Sequence, residues 1–250
     1  MEHEIKEFFD KAAIDRNANI ARNLIVEYEQ KVRSQMVISM IDPKPEEVIL
    51  DGGCGNARDL IQLALHGCKC IGIDLSPNMI EEAKKELATR NIQRVELEVG
   101  DLTNLRFCDE TFDKVFASEV LEHVPDYRKA VSEMARVLKP GGTLVVTTPN
   151  RHSLYGFDRY IICQRILRLK HRHPSDEWKT FKELASALEN NGFEIVRSAG
   201  VCYVPGFLVP YHLPTALKKL LITIVRRVEP WLSRILPHSG YVLAIKAVKR

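Results

Sequence analysis

Short apolar runs alternate, through the middle of the chain, with segments whose apolar residues recur every three or four positions. The short runs are typical of buried strands, and the longer spacing is typical of helices that pack on one side. The pattern predicts strands at 48–51, 69–74, 95–100, 112–118 and 143–148, and helices at 57–66, 77–90 and 126–138. Strands joined by helical crossovers imply a doubly wound parallel sheet in an α/β fold.

The chain on either side of this core has a different pattern. Residues 4–41 are predicted to be helical, because apolar side chains lie about one turn apart at Leu24, Tyr28, Val32 and Met36. After Pro149 the pattern predicts a helix at 178–191 and strands at 193–203 and 241–248, with an insertion at about 205–239 between the two strands.

Local signals mark two element boundaries in the core. Ser76 followed by Pro77 predicts a helix N-cap with proline at the first helical position. The segment Lys139-Pro-Gly-Gly142 is predicted to stop a helix and turn into the next strand.

The insertion contains a basic amphipathic helix, which we expect to bend or break before Pro230. Its apolar stripe consists of Leu217, Leu220, Leu221, Ile224, Val228, Trp231, Leu232 and Ile235. The basic residues that fall mostly off this stripe are Lys218, Lys219, Arg226, Arg227 and Arg234. We favour a lid or dimer helix whose stripe packs on protein. The alternative is peripheral contact of residues 214–236 with an anionic membrane.

Composition and charge narrow the class of protein. The 250 residues, 45% of them hydrophobic, suit one large domain, and no apolar run approaches the roughly 20 residues that span a bilayer. The acidic start lacks an apolar signal core, and the six cysteines contain no Cys-x-x-Cys pair. We therefore expect reduced thiols and a cytoplasmic location, with peripheral membrane attachment as the alternative.

The net charge of +3 hides an asymmetry between the two parts of the chain. Residues 1–150 carry 19 basic and 26 acidic side chains, a net charge of −7, whereas residues 151–250 carry 17 and 7, a net charge of +10. The basic excess lies outside the α/β core and indicates a separate role for the C-terminal part. Nucleic acid is not the expected partner, because the basic residues of the insertion alternate with aliphatic rather than stacking aromatic side chains.

A glycine-rich turn follows the first predicted strand, in the segment Val48-Ile-Leu-Asp-Gly-Gly-Cys-Gly-Asn-Ala57. Gly53 and Gly55 allow the backbone to approach a bound ligand closely. Asp51, Asp74 and Asp101 stand at the ends of three successive strands, where carboxylates can hold a nucleoside cofactor along one edge of the sheet. The dinucleotide pattern G-x-G-x-x-G/A does not fit, because Arg58 and Cys54 occupy the positions that require a small residue or glycine.

These motifs resemble those of the class I S-adenosylmethionine-dependent methyltransferases, over about residues 45–150. The matching segments are Asp51-Gly-Gly-Cys-Gly-Asn-Ala57, Gly72-Ile-Asp-Leu-Ser-Pro-Asn-Met79, Gly100-Asp-Leu102 and Leu138-Lys-Pro-Gly-Gly142. Ala57 stands where glycine is commoner. The resemblance implies a Rossmann-like doubly wound, seven-stranded mixed sheet whose last strand is antiparallel. It also implies a single methyltransferase domain with an N-terminal helical segment (1–44), a cofactor-binding core (45–150) and a substrate-side cap (151–250).

The resemblance further implies S-adenosylmethionine as the cofactor. The implied binding residues are Asp51, Gly52, Gly53, Gly55, Asp74, Leu75, Met79, Asp101, Leu102 and Ser118. Asp51 would face the ammonium of the methionine part, and Asp74 would bind both ribose hydroxyls. Asp101 would accept a hydrogen bond from the adenine amino group, with Leu102 and Met79 near the base.

The segments Glu119-Val-Leu-Glu-His-Val-Pro-Asp126 and Thr147-Thr-Pro-Asn-Arg151 look like the quinone-biosynthesis O-methyltransferase group. The Asn/Asp-Pro-Pro-Tyr/Phe motif for amino acceptors and the Pro-Cys nucleophile for pyrimidine carbons are absent from the sequence there. We expect transfer to a hydroxyl of a small, partly apolar molecule, such as a phenol or quinone precursor, a lipid or a lipid-linked sugar. The alternatives are carbon methylation of a quinone precursor and a non-catalytic cofactor-binding subunit. The oligomeric state is not predicted.

His123 is the expected general base or substrate contact, with Glu119 as a second candidate. Some relatives hold a divalent metal with Glu-x-x-Glu-His and a later histidine, an arrangement suited to a borderline cation. That resemblance assigns the metal ligands Glu119, Glu122, His123 and His173, with His171 as a competitor for the last position. The metal is the less favoured interpretation, because Glu122 can begin a helix while His123 acts alone.

Overall fold

The structure is a computed structural model that describes residues 4–11, 24–166, 168, 176–203 and 214–250. Seven strands form one sheet in the order β3-β2-β1-β4-β5-β7-β6, and β7 runs antiparallel to both of its neighbours. The strands are β1 Val48–Gly52, β2 Lys69–Asp74, β3 Val95–Val99, β4 Phe112–Ser118, β5 Leu138–Pro149, β6 Phe193–Val201 and β7 Val242–Lys249. This topology confirms the expected mixed, doubly wound sheet.

Helices cover both faces of the sheet. They are α1 (4–11), α2 Leu24–Ile41, α3 Arg58–Leu65, α4 Pro77–Thr89, α5 Tyr127–Val137, α6 Leu154–Phe157, α7 Phe181–Glu189 and α8 Thr215–Ile235. Side chains from α2, α3 and α4 pack in the core on one face, and those from α5 and α7 pack on the other. Because both faces are covered, the central strands are apolar along most of their length.

The helix boundaries follow local capping signals. Ser76 is the N-cap of α4, with its side chain accepting from the Met79 backbone N–H at 3.1 Å, and Pro77 is the first helical residue, as predicted. Thr180 and Glu183 form a reciprocal capping box at α7, so this helix begins at Phe181 rather than at the predicted residue 178.

Three other details differ from the sequence pattern. The predicted turn at 139–142 is instead a bulge inside β5: between two paired positions β4 advances from Phe112 to Lys114, while β5 advances from Leu138 to Thr143. A short π-helix, Asp158–Ile166, continues α6 where no regular element was predicted. The segment 4–41, predicted to be helical, is described as α1 and α2, and residues 12–23 lie outside the described part of the chain.

Helix α8 differs from its prediction in two ways. It continues through Pro230 without a break. Its buried residues are Val225 and Glu229, whereas most of the predicted apolar stripe is exposed. Within the described residues the stripe therefore does not pack on the body of its own chain, so the lid interpretation is wrong, while the dimer interpretation stays a prediction. Within the described ranges, none of the helices has the length and apolarity needed to cross a membrane.

Candidate functional site

A large cavity opens at the carboxyl ends of the parallel strands, where loops after β1, β2 and β4 meet α1, α2 and residues 176–178. Its volume is about 1610 Å³. Ligand sites of α/β sheets usually lie at this edge, next to the point where the strand order reverses, which here falls between β1 and β4.

The glycine-rich turn after β1 is held tightly against β2. The backbone N–H groups of Gly53 and Cys54 both donate to the Ile73 carbonyl at 2.8 Å. Gly53 has a φ of 88°, and a Cβ at this position would collide with Val120. Gly55 has a φ of 50° and faces open space, so a ligand can approach its backbone.

Ala57 also adopts the left-handed conformation, with a φ of 60° just before α3. Glycine takes this conformation without strain, whereas alanine does not. The position where the sequence departs from the family pattern is thus one whose backbone favours glycine, and the fold imposes the conformation on alanine.

Two of the three predicted carboxylates are fixed by backbone donors. Asp74 accepts from the N–H of Gly55 and from the N–H of Ser76, both at 2.9 Å. Asp101 accepts from the Thr103 backbone N–H at 2.8 Å and from the Thr103 hydroxyl at 2.6 Å. These bonds hold both side chains in place at the edge of the cavity.

Asp51 is different, because it is buried without a hydrogen-bond donor from the described part of the chain. Only 3% of the residue is exposed. Burial raises the pKa of this carboxyl well above its ordinary value, and the charges of Asp59 and Asp74 raise it further, while Arg33 opposes them. A positively charged ligand group beside Asp51 would offset this cost, which fits the ammonium or sulfonium of S-adenosylmethionine.

Nine of the ten predicted cofactor residues line the cavity. The exception is Gly52, which lies behind the turn, where an added side chain would collide with Leu102. Leu102 and Met79 are buried and supply an apolar wall. A nucleoside can therefore lie between an acidic edge and an apolar surface.

Helix α1 forms part of the same edge, which the sequence did not indicate. Its Asp10 carboxylate accepts from the Ser76 hydroxyl, and its backbone carbonyl accepts from the Asn78 side chain at 3.3 Å. Phe9 and Ile5 of the same helix line the cavity. The N-terminal helix thus covers the cofactor side of the site.

The loop after β4 carries a pair of acids, of which Glu122 is buried and Glu119 is half-buried. Glu119 accepts from the Thr147 hydroxyl at 3.4 Å, and Glu122 accepts from the Thr148 hydroxyl at 3.3 Å. Burial raises the pKa of each to about 8, and in Glu119 the charge of Glu122 contributes as well. At neutral pH both carboxyls therefore favour the protonated form, and a cation beside them would stabilise the ionised form.

His123 follows this acid pair and lines the cavity. Its Nε2 atom lies 3.7 Å from Glu122 Oε1, and its ring meets Phe9 edge-on at a centroid distance of 5.1 Å. The backbone N–H of His123 donates to the Val120 carbonyl at 2.9 Å. The imidazole thus lies between the Glu122 carboxyl and the Phe9 ring.

The predicted metal set is only partly described. Glu119, Glu122 and His123 all line the cavity, but His173 and its competitor His171 lie outside the described residues. In the ranges that the structure covers, no group of three or more histidine, cysteine or acidic side chains has a metal-binding arrangement.

Helix α2 brings two further charged side chains to the site. The Nη1 atom of Arg33 lies 4.0 Å from the Oε2 atom of Glu119. Burial works against the charge of Arg33, but the surrounding carboxylates, with Glu119 the strongest, outweigh it and raise the pKa. Burial, together with the charge of Glu119, raises the pKa of Glu29 to about 8. No motif in the sequence identifies these two residues.

Another part of the cavity lining is aromatic and contains a half-buried ion pair. Arg159 binds Asp176 at 2.8 Å, and the Trp178 indole N–H donates to the same carboxylate at 3.0 Å. The Arg159 guanidinium lies 4.6 Å from the centre of the Trp178 ring. Tyr155 and Tyr241 complete this wall. We call these five residues the aromatic wall.

Comparison with known proteins agrees with this geometry. Residues 50–146 match the family model described as a methyltransferase domain. A demethylmenaquinone methyltransferase from Bacillus cereus (strain AH187) is 30% identical over 216 residues, which cover 78% of this chain and 90% of that protein. The chain belongs to the S-adenosylmethionine-dependent methyltransferases. The predictions of the enzyme class and of the cofactor are thereby confirmed.

This methyltransferase is also similar to a second protein in sequence and to a solved structure in fold. A 37.1 kDa protein in transposon TN4556 of Streptomyces fradiae is 36% identical over 149 residues, which are 58% of this chain but only 42% of that protein. An S-adenosylmethionine-dependent methyltransferase from Mesorhizobium loti has the same fold, with a TM-score of 0.61 and 21% identity. The superposition covers 86% of this chain and 96% of that one.

Proposed function

We propose that this methyltransferase methylates a hydroxyl of a small, partly apolar acceptor, and that a phenol or quinone precursor is the acceptor class. The observation that carries the proposal is the place of His123, which lines the same cavity as the cofactor-side carboxylates and the aromatic wall. The name of the Bacillus cereus relative supports a quinone-related acceptor. The cavity exceeds the roughly 300–1,000 Å³ of an ordinary ligand pocket, which suits two ligands side by side.

The cofactor side needs little movement of protein groups. When bound, S-adenosylmethionine supplies a methyl group on a positively charged sulfur for in-line displacement. Asp51 would hold the cationic methionine part, Asp74 the ribose hydroxyls and Asp101 the adenine amino group. The backbone bonds to Asp74 and Asp101 fix those two carboxylates before a ligand arrives.

The acceptor side supplies a base and an apolar surface. Trp178, Tyr155 and Tyr241 can pack against a ring, while Arg159 and Asp176 offer polar contacts. His123 would take the hydroxyl proton as the oxygen attacks the methyl group. Beside the imidazolium that then forms, the Glu122 carboxyl, whose Oε1 atom lies 3.7 Å from Nε2, would ionise more readily, and its negative charge would offset the positive charge of the ring.

Carbon methylation of a quinone precursor is the second candidate, again supported by the name of the Bacillus cereus relative. In both reactions His123 would remove a hydroxyl proton, so the base alone does not distinguish them. The product is decided by which acceptor atom, oxygen or ring carbon, is held in line with the methyl group.

The position of the new methyl group separates these two candidates. We expect incubation with ¹³C-methyl-labelled S-adenosylmethionine and a short-chain prenylated hydroquinone to give an O-methyl ether, identified by NMR and mass spectrometry. A control without enzyme measures spontaneous transfer. A product labelled only on ring carbon would contradict the hydroxyl proposal and support the second candidate.

A further inference from the structure

Helix α8 exposes a continuous apolar line to solvent. The line, which we call the α8 stripe, consists of Leu217, Leu220, Ile224, Val228, Trp231 and Ile235, spaced three or four residues apart. The exposed fraction runs from 40% at Val228 to 62% at Trp231. A helix of 21 residues is about 30 Å long. Apolar residues exposed in a line along it form a continuous patch, unlike the single apolar residues that are scattered over most protein surfaces.

A different side of α8 attaches the helix to the protein. Val225 packs in a cluster with Tyr28, Tyr155 and Trp178. Glu229 is buried and accepts hydrogen bonds from the Tyr28 hydroxyl and from the Cys202 backbone N–H. These contacts fix the rotation of α8 about its axis, and the stripe is therefore held outward.

The exposed charges of α8 are all positive. Lys219, Arg226, Arg227 and Arg234 are exposed, and Glu229 is the only acidic residue of the helix. No ion pair links these four basic side chains to a carboxylate in the part of the chain that the structure covers. By the helical repeat, Arg227 and Arg234 adjoin the stripe, whereas Lys219 and Arg226 lie on the opposite side of the helix. An apolar line flanked by unneutralised basic side chains complements an anionic lipid surface, and tryptophan is favoured at that boundary.

We propose that α8 docks this enzyme on an anionic bilayer, with the stripe at the headgroup boundary and Arg227 and Arg234 on lipid phosphates, while Lys219 and Arg226 add to the long-range attraction. Pairing of two copies through the stripe is disfavoured, because it would bring two basic helices and two cap regions of net charge +10 together. The cluster around Val225 includes Tyr155 and Trp178 of the aromatic wall, so the docked surface adjoins the acceptor side of the cavity.

Sedimentation with vesicles tests the docking. The full-length protein is expected to sediment with phosphatidylcholine vesicles that contain phosphatidylglycerol, but not with phosphatidylcholine alone, and added salt should weaken the binding. Two triple variants remove the two components of the surface: Leu220→Gln/Ile224→Gln/Trp231→Gln, and Arg226→Gln/Arg227→Gln/Arg234→Gln. The charge variant should lower the partition coefficient about a hundredfold, and the stripe variant at least about tenfold.

Matched controls lie elsewhere on the surface. Leu65→Gln changes another exposed apolar residue, on α3, and Arg106→Gln/Lys129→Gln/Lys182→Gln removes the same charge from exposed positions outside α8. Both controls should bind vesicles like the unchanged protein. Circular dichroism checks folding, and if the stripe variant does not fold, the charge variant decides.

Three outcomes would overturn the docking proposal. One is the absence of sedimentation with anionic vesicles. Another is an equal loss of binding in the controls. The third is a dimer in analytical ultracentrifugation that the stripe variant abolishes, without vesicle binding. None of these readouts requires methyl transfer, so the proposed function is tested separately.

Discussion

Asp51 combines two properties that rarely occur together in an acid that lines a cavity. The residue is almost completely buried, and none of the described residues donates a hydrogen bond to its carboxylate. An isolated buried carboxylate destabilises the ligand-free protein. It becomes favourable when a cation binds beside it. The same burial that makes this carboxylate unfavourable in the ligand-free protein therefore strengthens its attraction for a bound cation.

We predict that Asp51→Asn has opposite effects on binding and on stability. The affinity for S-adenosylmethionine, measured by calorimetry, should fall about 10- to 100-fold, as expected for a hydrogen bond to a charged group worth about 1.5–3 kcal/mol. The melting temperature of the ligand-free protein should rise, because the neutral amide removes a buried charge whose pKa is raised. Asp109→Asn, at an exposed acid far from the cavity, is the matched control. Unchanged affinity in Asp51→Asn would contradict the assignment.

At the scale of single residues, the sequence identified the side chains that follow strand ends. Asp51, Asp74 and Asp101 could be predicted because parallel strands end at one edge of the sheet. Arg33 and Asp176 could not, because their place in the cavity depends on how α2 and the segment before α7 pack against the sheet. No spacing rule connects them to Glu119 or Arg159. The metal set stays a prediction, since His173 lies outside the described residues.

At the scale of elements, α2 and the loop after β4 place three acids around one guanidinium. Glu29, Glu119 and Glu122 each have a pKa raised to about 8, and Arg33 lies among them. Between the ordinary value of 4.5 and about 8, the folded protein holds protons that the unfolded chain has released. Stability is therefore lost as the pH rises through this window.

We predict that the free energy of unfolding of the ligand-free protein falls between pH 5 and pH 8, by about 1.4 kcal/mol per pH unit for each excess proton. The slope should become shallower in Glu119→Gln, which cannot ionise. Chemical denaturation at a series of pH values measures it, with Glu189→Gln, at an exposed position on α7, as the control. A stability that rises steadily over this range would contradict the buried, protonated acids.

The elements themselves were largely predictable, but their contacts were not always so. The amphipathic pattern correctly predicted a helix in the insertion and incorrectly assigned its buried side. The buried side contains Glu229, whose burial depends on donors from Tyr28 and Cys202 far away in the sequence. Likewise, the glycines at 141–142 predicted a turn, whereas pairing with β4 on both sides of the segment, at Leu138 and at Thr143, includes it in β5 as a bulge.

At the scale of the whole molecule, charge divides the protein into two parts with different tasks. The acidic part, residues 1–150, carries the carboxylates that suit a cationic cofactor, and the basic part, residues 151–250, carries the aromatic wall and α8. We propose that the second part is a substrate-side cap on a single domain. Its sequence carries no acceptor motif comparable to the cofactor motifs, so the lining of the cavity is the feature that indicates the acceptor class.

The most direct test of the account is turnover by His123→Gln with a hydroxyl acceptor, together with its affinity for S-adenosylmethionine. We predict that kcat falls by about 10²- to 10⁴-fold, the usual contribution of a general base, while the cofactor Kd stays within about twofold of the unchanged enzyme. His66→Gln, at an exposed histidine that follows α3 and does not line the cavity, should keep full activity. A His123→Gln enzyme that transfers the methyl group at the original rate would contradict the account.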